Sequence, residues 1–487
     1  MDTKKVTKTT VKSWMAIAPL LVTAIILMVQ FFVFDDFTPH IPLIIGILLC
    51  GFFSKINGGR WRDLESSMLE VVSVGIPAIY ILMSVGMLIS ALIAAGTVPT
   101  LIYYGFGYLS ADSFLVVACL FSLLISLATG SSWGAIGTVG LALMGVGEGL
   151  GLPAYMTGGA LVSGAFIGDK MSPLSGTTNL TSVVCGTELW SHLRAMMATT
   201  IPALLVALGL YAWLGNGYRN VDIDRMGVEI VRDVLSGQYH LGLITLLPLI
   251  VIIVFSFFRA PALPAILVGV SLACTVAYFQ QDCEIKQLFQ VLKNGYVSTT
   301  GIEAVDKLLS KGGLMSMAWV ITLMLLALAF VGAIEFCGAL KVIKLRLDKV
   351  IIGRFSLVFF SHSFVLAVAA LVGEVYTSIV LPSRMLKDKY GSMGYKPTTL
   401  SRCVEDCATL CSPLIPWNIG GAFVSTTIGV PTILYAPFAF ACWLAPLFGL
   451  ILALFGKFIP RVDDALVTQP EIKSQENVSP IPDILVL

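Results

Sequence analysis

Charge is scarce in this sequence. Asp, Glu, Lys and Arg make up 12% of its 487 residues, against about 25% in an ordinary soluble domain. The length would allow two or three soluble domains, but no polar stretch is long enough to build one. The formal net charge is +1 and no basic patch is interleaved with aromatics, so a nucleic-acid partner is not expected. A Gly-x4-Gly-Lys-Ser/Thr phosphate loop is missing, which argues against ATP-driven work by this chain alone. Nucleophile–base pairs and metal-ligand spacings are missing too, which argues against an enzyme.

Histidine is also scarce. His40, His192, His240 and His362 are isolated and read as structural or interfacial. The ten cysteines are scattered, mostly inside apolar blocks, which excludes a secreted disulfide framework. Cys403, Cys407 and Cys411 share one helical face. Three thiolates can hold a soft metal, but no histidine lies near them, and small buried cysteines are common.

Apolar residues are abundant, at 57%. They gather at 14–34, 41–54, 71–95, 113–130, 133–147, 154–168, 195–214, 240–258, 261–279, 314–339, 354–372, 374–386, 420–430 and 432–456. Many of these blocks have the roughly 17–25 residues needed to cross about 30 Å of hydrocarbon. Others are short or interrupted by Gly and Pro, as re-entrant hairpins or half-helices would be. Lys4, Lys5, Lys8 and Lys12 precede the first block, which is longer than a signal-peptide core and lacks a small-x-small site. It reads as the first membrane helix.

The halves of the chain resemble each other at an offset of about 240 residues. Block 14–34 matches 240–258, 41–54 matches 261–279, 71–95 matches 314–339, and 113–130 matches 354–372. Ser172-Pro173-Leu174 recurs as Ser412-Pro413-Leu414, each with an Asp before it (Asp169, Asp406) and an Asn after it (Asn179, Asn418). The break at Gly130-Ser131-Ser132-Trp133-Gly134 is echoed at Val372-Gly373-Glu374-Val375-Tyr376.

Matched loops have opposite charge character. Loops 96–112 and 148–160 carry no Lys or Arg. Their counterparts carry Lys341, Lys344, Arg346 and Lys349, and Arg384, Lys387, Lys389, Lys396 and Arg402. Loop 35–40 carries Asp35 and Asp36 where its counterpart has Arg259, and the lysine-rich tail answers 215–239, which has three Arg against four acids. Short cytoplasmic loops are enriched in Lys and Arg, so this pattern predicts repeats of inverted topology.

The expected fold is therefore an all-α polytopic membrane protein of two inverted-topology repeats, with broken helices or re-entrant hairpins. The repeats are 14–214 and 240–456, joined by 215–239. Tails 1–13 and 457–487 and loop 340–353 are placed on the cytoplasmic side. Inverted repeats with broken helices are the architecture of secondary transporters, with the site near the midplane.

The candidate site follows from the breaks. Gly168 to Asn179 is polar, rich in helix breakers and bracketed by apolar blocks. Unwinding there frees carbonyl oxygens, which together with hydroxyls and a carboxylate suit a hard cation. Candidate ligands are Asp169, Ser172, Ser175, Thr177, Thr178 and Asn179, with Lys170 able to hold an empty site neutral. From the second copy come Glu374, Asp406, Thr409, Ser412 and Asn418. Asp169, Glu374, Glu405 and Asp406 are candidates for proton coupling, because ionisable groups at membrane depth are costly and suggest function. The bland alternative is that Glu405, Lys170 or Glu188 sits at the water interface and anchors a helix. Gly137, Gly140, Gly145, Gly147, Gly149 and Gly151 read as close helix packing.

At these motifs the sequence resembles the NhaC family of sodium/proton antiporters, over roughly residues 14–456. The resemblance rests on Ala128 to Gly140 (ATGSSWGAIGTVG), the Asp169 stretch, Ile379-Val380-Leu381-Pro382 and Glu405-Asp406. It continues through Ser412 to Asn418 (SPLIPWN), Gly420-Gly421-Ala422-Phe423 and Gly429-Val430-Pro431-Thr432. The resemblance implies a bacterial inner-membrane carrier exchanging sodium for protons by alternating access, with relatives that exchange malate for lactate or take up amino acids. It implies no cofactor and no metal beyond a transported cation such as sodium. The implied partners are membrane lipid and a small ion or solute, with a homodimer left open.

Three departures stand out. Gly176 replaces the Asp usual in Ser-Pro-Leu-Ser-Asp-Thr-Thr-Asn, Glu374-Val375 replaces an Asp-Gln pair, and Ala408-Thr409 replaces Gly-Thr. Loss of the acid at 176 removes a cation ligand or proton carrier and makes room for a larger solute. A carrier of a small organic anion or amino acid, driven by sodium or protons, is therefore the alternative expectation.

Overall fold

The computed structural model describes residues 13–34, 36, 38–219, 225–258, 261–302, 305–306, 309–339, 342 and 350–461. The N-terminal lysines, Asp35, Arg259, Lys341, Lys344, Arg346, Lys349 and the tail from 462 lie outside these residues. Among the described residues the structure is helical throughout, apart from one isolated bridge between Tyr395 and Arg461. Among the described residues six helices are long and apolar enough to cross a membrane, or up to nine spans if each bent pair counts as one.

The outer framework is built by exchange between the halves. The Ser13–Phe32 and His40–Ile56 helices pair, as do Leu247–Phe257 and Ala262–Gln280. The first hairpin rests on Ala318–Phe336, and the second on Trp61–Ala94. These two long helices also pack on each other, at a close crossing. A Cβ on Gly75 would lie 2.2 Å from a Leu328 methyl, and one on Gly332 would lie 2.6 Å from the Ser67 carbonyl oxygen. The matched sequence blocks thus occupy matching places in the packing.

The inner layer repeats in the same way. Ala111–Thr129 lies along Ala154–Met171, and Arg354–Val372 lies along Pro397–Cys411. The half-helix Gly176–Cys185 packs on Val375–Ser392, while its counterpart Ile419–Ile428 packs on the Ile136–Gly140 π-turn. Close approach in the first pair depends on glycine, because a Cβ at Gly164 would lie 2.0 Å from the Cys119 carbonyl oxygen and one at Gly168 2.4 Å from that of Leu123.

Ala154–Met171 and Pro397–Cys411 are the innermost helices. Thr157 through Lys170 and Thr399 through Cys411 are buried without interruption. Polar groups on them are enclosed by protein, the placement that membrane depth requires.

Several expected loops are helical. Thr97–Tyr108 fills most of 96–112, and Arg384, Lys387 and Lys389 lie on Val375–Ser392. Arg402 does not serve as a loop charge. It is buried, and its Nη1 donates to the Phe458 carbonyl at 2.8 Å. Arg225–Gln238 and Ile285–Asn294 form further helices in the polar connections, the latter burying Leu288 and Val291.

Candidate cation cavity

Two kinds of break meet at the centre. Gly130 ends Ala111–Thr129 at φ +66°, and Gly373 ends Arg354–Val372 at φ +72°, a region open to glycine at little cost. Each glycine also lets another break approach. A Cβ on Gly130 would lie 2.7 Å from the Leu174 carbonyl carbon, and one on Gly373 3.0 Å from the Trp417 carbonyl oxygen. The chain then re-enters a helix under a side-chain cap. The Ser131 hydroxyl accepts from the Gly134 N–H at 3.0 Å, and Glu374 accepts from the Tyr376 and Thr377 N–H groups at 2.8 and 2.6 Å.

The Ser-Pro-Leu segments form the second kind, and side chains take up much of the backbone they expose. Asn179 donates to the carbonyls of Pro173 and Ser175 at 2.8 and 2.7 Å, Ser172 to Leu127 at 2.8 Å, and Thr178 to Lys170 at 2.9 Å. Asn418 caps Ile419–Ile428, accepts from Ser412 at 2.8 Å and donates to the Ala369 carbonyl at 3.0 Å. These five residues, expected as ligands, make hydrogen bonds that hold the breaks together, and none of them lines the cavity that the breaks enclose.

The breaks enclose a cavity of about 360 Å³. Of the expected site residues, Asp169, Ser175, Thr177, Glu374 and Thr409 line it, and Gly176 does too. Asp169 is 8% exposed, and its Oδ2 accepts from the Ser132 N–H at 3.1 Å and hydroxyl at 2.7 Å. Glu374 is 3% exposed and is held by the amides of its own helix start, where the dipole favours negative charge. Ser175 and Thr177 share a hydroxyl hydrogen bond at 3.0 Å. Among the described lining residues there is no Lys, Arg or His.

Glu405 and Asp406 stand off the wall. Glu405 accepts from Thr409 at 2.7 Å and from Thr181, so the Thr409 hydroxyl separates it from the cavity. Asp406 pairs with Lys170 and accepts from Thr199 at 3.0 Å. The expected match of Asp169 with Asp406 therefore needs correcting. Asp169 stands three residues before Ser172, and the residue three before Ser412 is Thr409. Asp406 lies three residues further from its break, about 4.5 Å along the helix axis.

The model of the Na+/H+ antiporter family matches residues 164–457, which contain both Ser-Pro-Leu breaks and all four acids. The chain belongs to the Na+/H+ antiporter family. The antiporter NhaC of Alkalihalophilus pseudofirmus is 35% identical over 419 residues, covering 86% of this chain and 90% of that protein. The arginine/ornithine antiporter ArcD of Halobacterium salinarum is 36% identical over 422 residues, 86% and 87% of the two chains. The malate-2H+/Na+-lactate antiporter of Bacillus subtilis is 33% identical over 436 residues, 89% and 92%.

Membership of the antiporter family agrees with the resemblance drawn from the motifs, and the relatives are transporters rather than enzymes. The sequence reading missed Ser132 as the hydrogen-bond donor to Asp169, and Trp133, Tyr376 and Met324 as cavity walls. Ser132 and Trp133 lay inside a break already recognised. Met324 lies mid-way along an apolar helix, and nothing in its local sequence marks it.

Proposed function

We propose that this chain is a secondary transporter that exchanges sodium for protons by alternating access, with Asp169 and Glu374 as the groups for which the two ions compete. The observation that carries this reading is two buried carboxylates facing one cavity without a basic side chain on its described walls. Taking a carboxylate out of water is costly, and a cation beside it or a proton on it relieves that cost. Proton and cation then exclude each other, and mutual exclusion at one site is what obligatory exchange needs. Glu405, behind the Thr409 hydroxyl, supplies a second proton position, and Asp406 balances Lys170.

An organic anion such as malate is less well supported. Its carboxylates would approach Asp169 and Glu374 with no cation on the described walls to offset them. The proposal includes a bacterial inner-membrane location with cytoplasmic termini, repeats 14–214 and 240–456 of inverted topology, no cofactor and no enzymatic step.

The test is sodium efflux from proteoliposomes driven by an imposed pH gradient. Wild type should expel sodium as protons enter, and Asp169→Asn should not. Equal efflux from both would remove Asp169 from the mechanism, and no efflux from wild type would remove sodium/proton exchange.

A further inference from the structure

We infer that His362 relays the exchanged proton to Asp406, on a buried route that does not pass through the cation cavity. The inference rests on the exchange reading above and names the residue that moves the other ion.

The freedom of the ring is the first argument. His362 lies on Arg354–Val372, is buried, and has no hydrogen-bond partner for either ring nitrogen among the described residues. Buried polar atoms are nearly always paired, with protein or with ordered water. An imidazole can take a proton at one nitrogen while it releases one from the other. A protein bond to either nitrogen obstructs that exchange, and here both are open. His192 is buried too, but the Ser401 hydroxyl holds its Nδ1 at 2.8 Å.

The second argument is what the ring faces. A Cβ on Gly449 would lie 2.7 Å from Cε1 and 3.3 Å from Nε2 of His362, and 3.6 Å from Oδ2 of Asp406. Glycine lets the ring come this close, and Nε2 and Oδ2 border the same spot. That Asp406 oxygen is itself buried and unpaired among the described residues, because Lys170 and Thr199 both bond Oδ1.

Arg402 gives the third. It stands four residues before Asp406, on the same face of Pro397–Cys411. Its Nη1 reaches the carbonyl of the exposed Phe458, while its Nε and Nη2 are buried and unpaired among the described residues. Open polar atoms thus lead from an exposed segment, by way of Arg402, to His362 and Asp406. The charges that act on the ring are Asp406, Arg402 and, from Ala154–Met171, Lys170. Phe440–Phe455, packed alongside, carries no charged residue.

The step is a proton transfer in which no other bond changes. One ring nitrogen takes a proton as the other gives its own to Asp406 Oδ2. Asp406 is then neutral, and the charge of Lys170, next in sequence to Asp169, is left uncompensated. Added positive charge opposes sodium in the cavity, so the relay couples to the cation without touching it.

The test compares two transport modes of the full chain in the same proteoliposomes. One is sodium efflux driven by a pH gradient. The other is exchange of radioactive for unlabelled sodium at equal pH, which moves no net proton. His362→Gln should slow the first by about tenfold or more and change the second by less than about twofold. Gly449→Ala keeps the ring but pushes it from its place beside Asp406. It should act in the same direction more weakly, and it carries the test if His362→Gln does not fold. Loss of both modes would make His362 structural, and retention of both would remove it from the proton's path; either result overturns the relay and leaves the exchange reading standing. Wild type that exchanges sodium for sodium but cannot use the pH gradient would remove the exchange reading, and the relay with it.

Discussion

Lys170 and Asp406 form an ion pair in which both side chains have no exposed surface, bridging the two central broken helices. The Thr199 hydroxyl donates to the same Asp406 oxygen, at 3.0 Å. Neither residue lines the cavity, and the two charges neutralise each other at the helix interface. Removing one partner strands the other's charge, which costs about 3–5 kcal/mol, whereas replacing both with apolar groups is often neutral. Lys170→Met and Asp406→Leu should each lower the unfolding midpoint in detergent, and the double variant should recover most of the loss. A double variant no more stable than the worse single one would show that the pair is not an independent unit.

The apolar blocks and the two kinds of break were legible in the sequence, because apolar length and helix breakers are local properties. Facing was not legible. A polar break such as Gly168 to Asn179 needs side chains both for a cargo and for its own exposed backbone, and composition does not say which does which. Asn179 and Asn418 turned out to serve the backbone. The pairing of Asp169 with Asp406 went astray by matching residue type instead of distance from the proline. Counting back from each serine leads to Thr409, and only the structure shows that Thr409 hands on to Glu405.

Glu374 has two roles that can be separated. As a cap it satisfies two amides, and as a cavity wall it presents an ionisable carboxyl group. Glu374→Gln keeps one good acceptor and loses the charge. Loss of a helix cap costs about 0.5–2 kcal/mol, so stability should fall by about 1 kcal/mol or less. Sodium-driven proton movement should fall far more, by at least about a hundredfold, or roughly 2.7 kcal/mol in the barrier. Unimpaired exchange in a less stable protein would leave Glu374 as a cap only.

Ser132 predicts a pH effect of known sign. Its hydroxyl donates to Asp169 at 2.7 Å, and a hydrogen bond to a carboxylate favours the charged form. Ser132→Ala removes that bond while leaving the backbone N–H at 3.1 Å. Protons then compete better against sodium, so the pH for half-maximal exchange should move upward, by up to about one unit. A downward move, or none, would show that the hydroxyl does not tune the site.

Opposed loop charges predict where labels will react. Of the ten cysteines, Cys274 is half-buried and the others are buried, so a Cys274→Ser background should be quiet. Glu148→Cys sits exposed at the end of Leu141–Gly149, beside a connection without Lys or Arg. It should react with an impermeant maleimide in intact cells. Leu345→Cys, in the basic loop, should react only after permeabilisation. Reaction of both from outside would contradict the inverted arrangement.

Gly176→Asp is the most informative single change. The new Cβ meets only the Tyr376 side chain, the hydroxyl at 3.2 Å, so a small shift of that hydroxyl admits it. The added carboxylate joins Asp169 and Glu374 around one cavity. Like charges at 4 Å repel by about 1 kcal/mol in water and several times that in a less polar setting. A bound cation relieves that repulsion, so sodium should bind more tightly, by about tenfold, a gain near 1.4 kcal/mol. Tighter binding slows release on the far side, so maximal turnover should fall while half-saturation comes at lower sodium. An anionic cargo would respond in the opposite direction, with malate uptake falling and its half-saturation rising. The measurement is sodium and malate uptake by variant and wild type, reconstituted side by side over a range of concentrations. Identical curves for both solutes would mean that neither passes position 176, and the site would have to be sought away from this cavity.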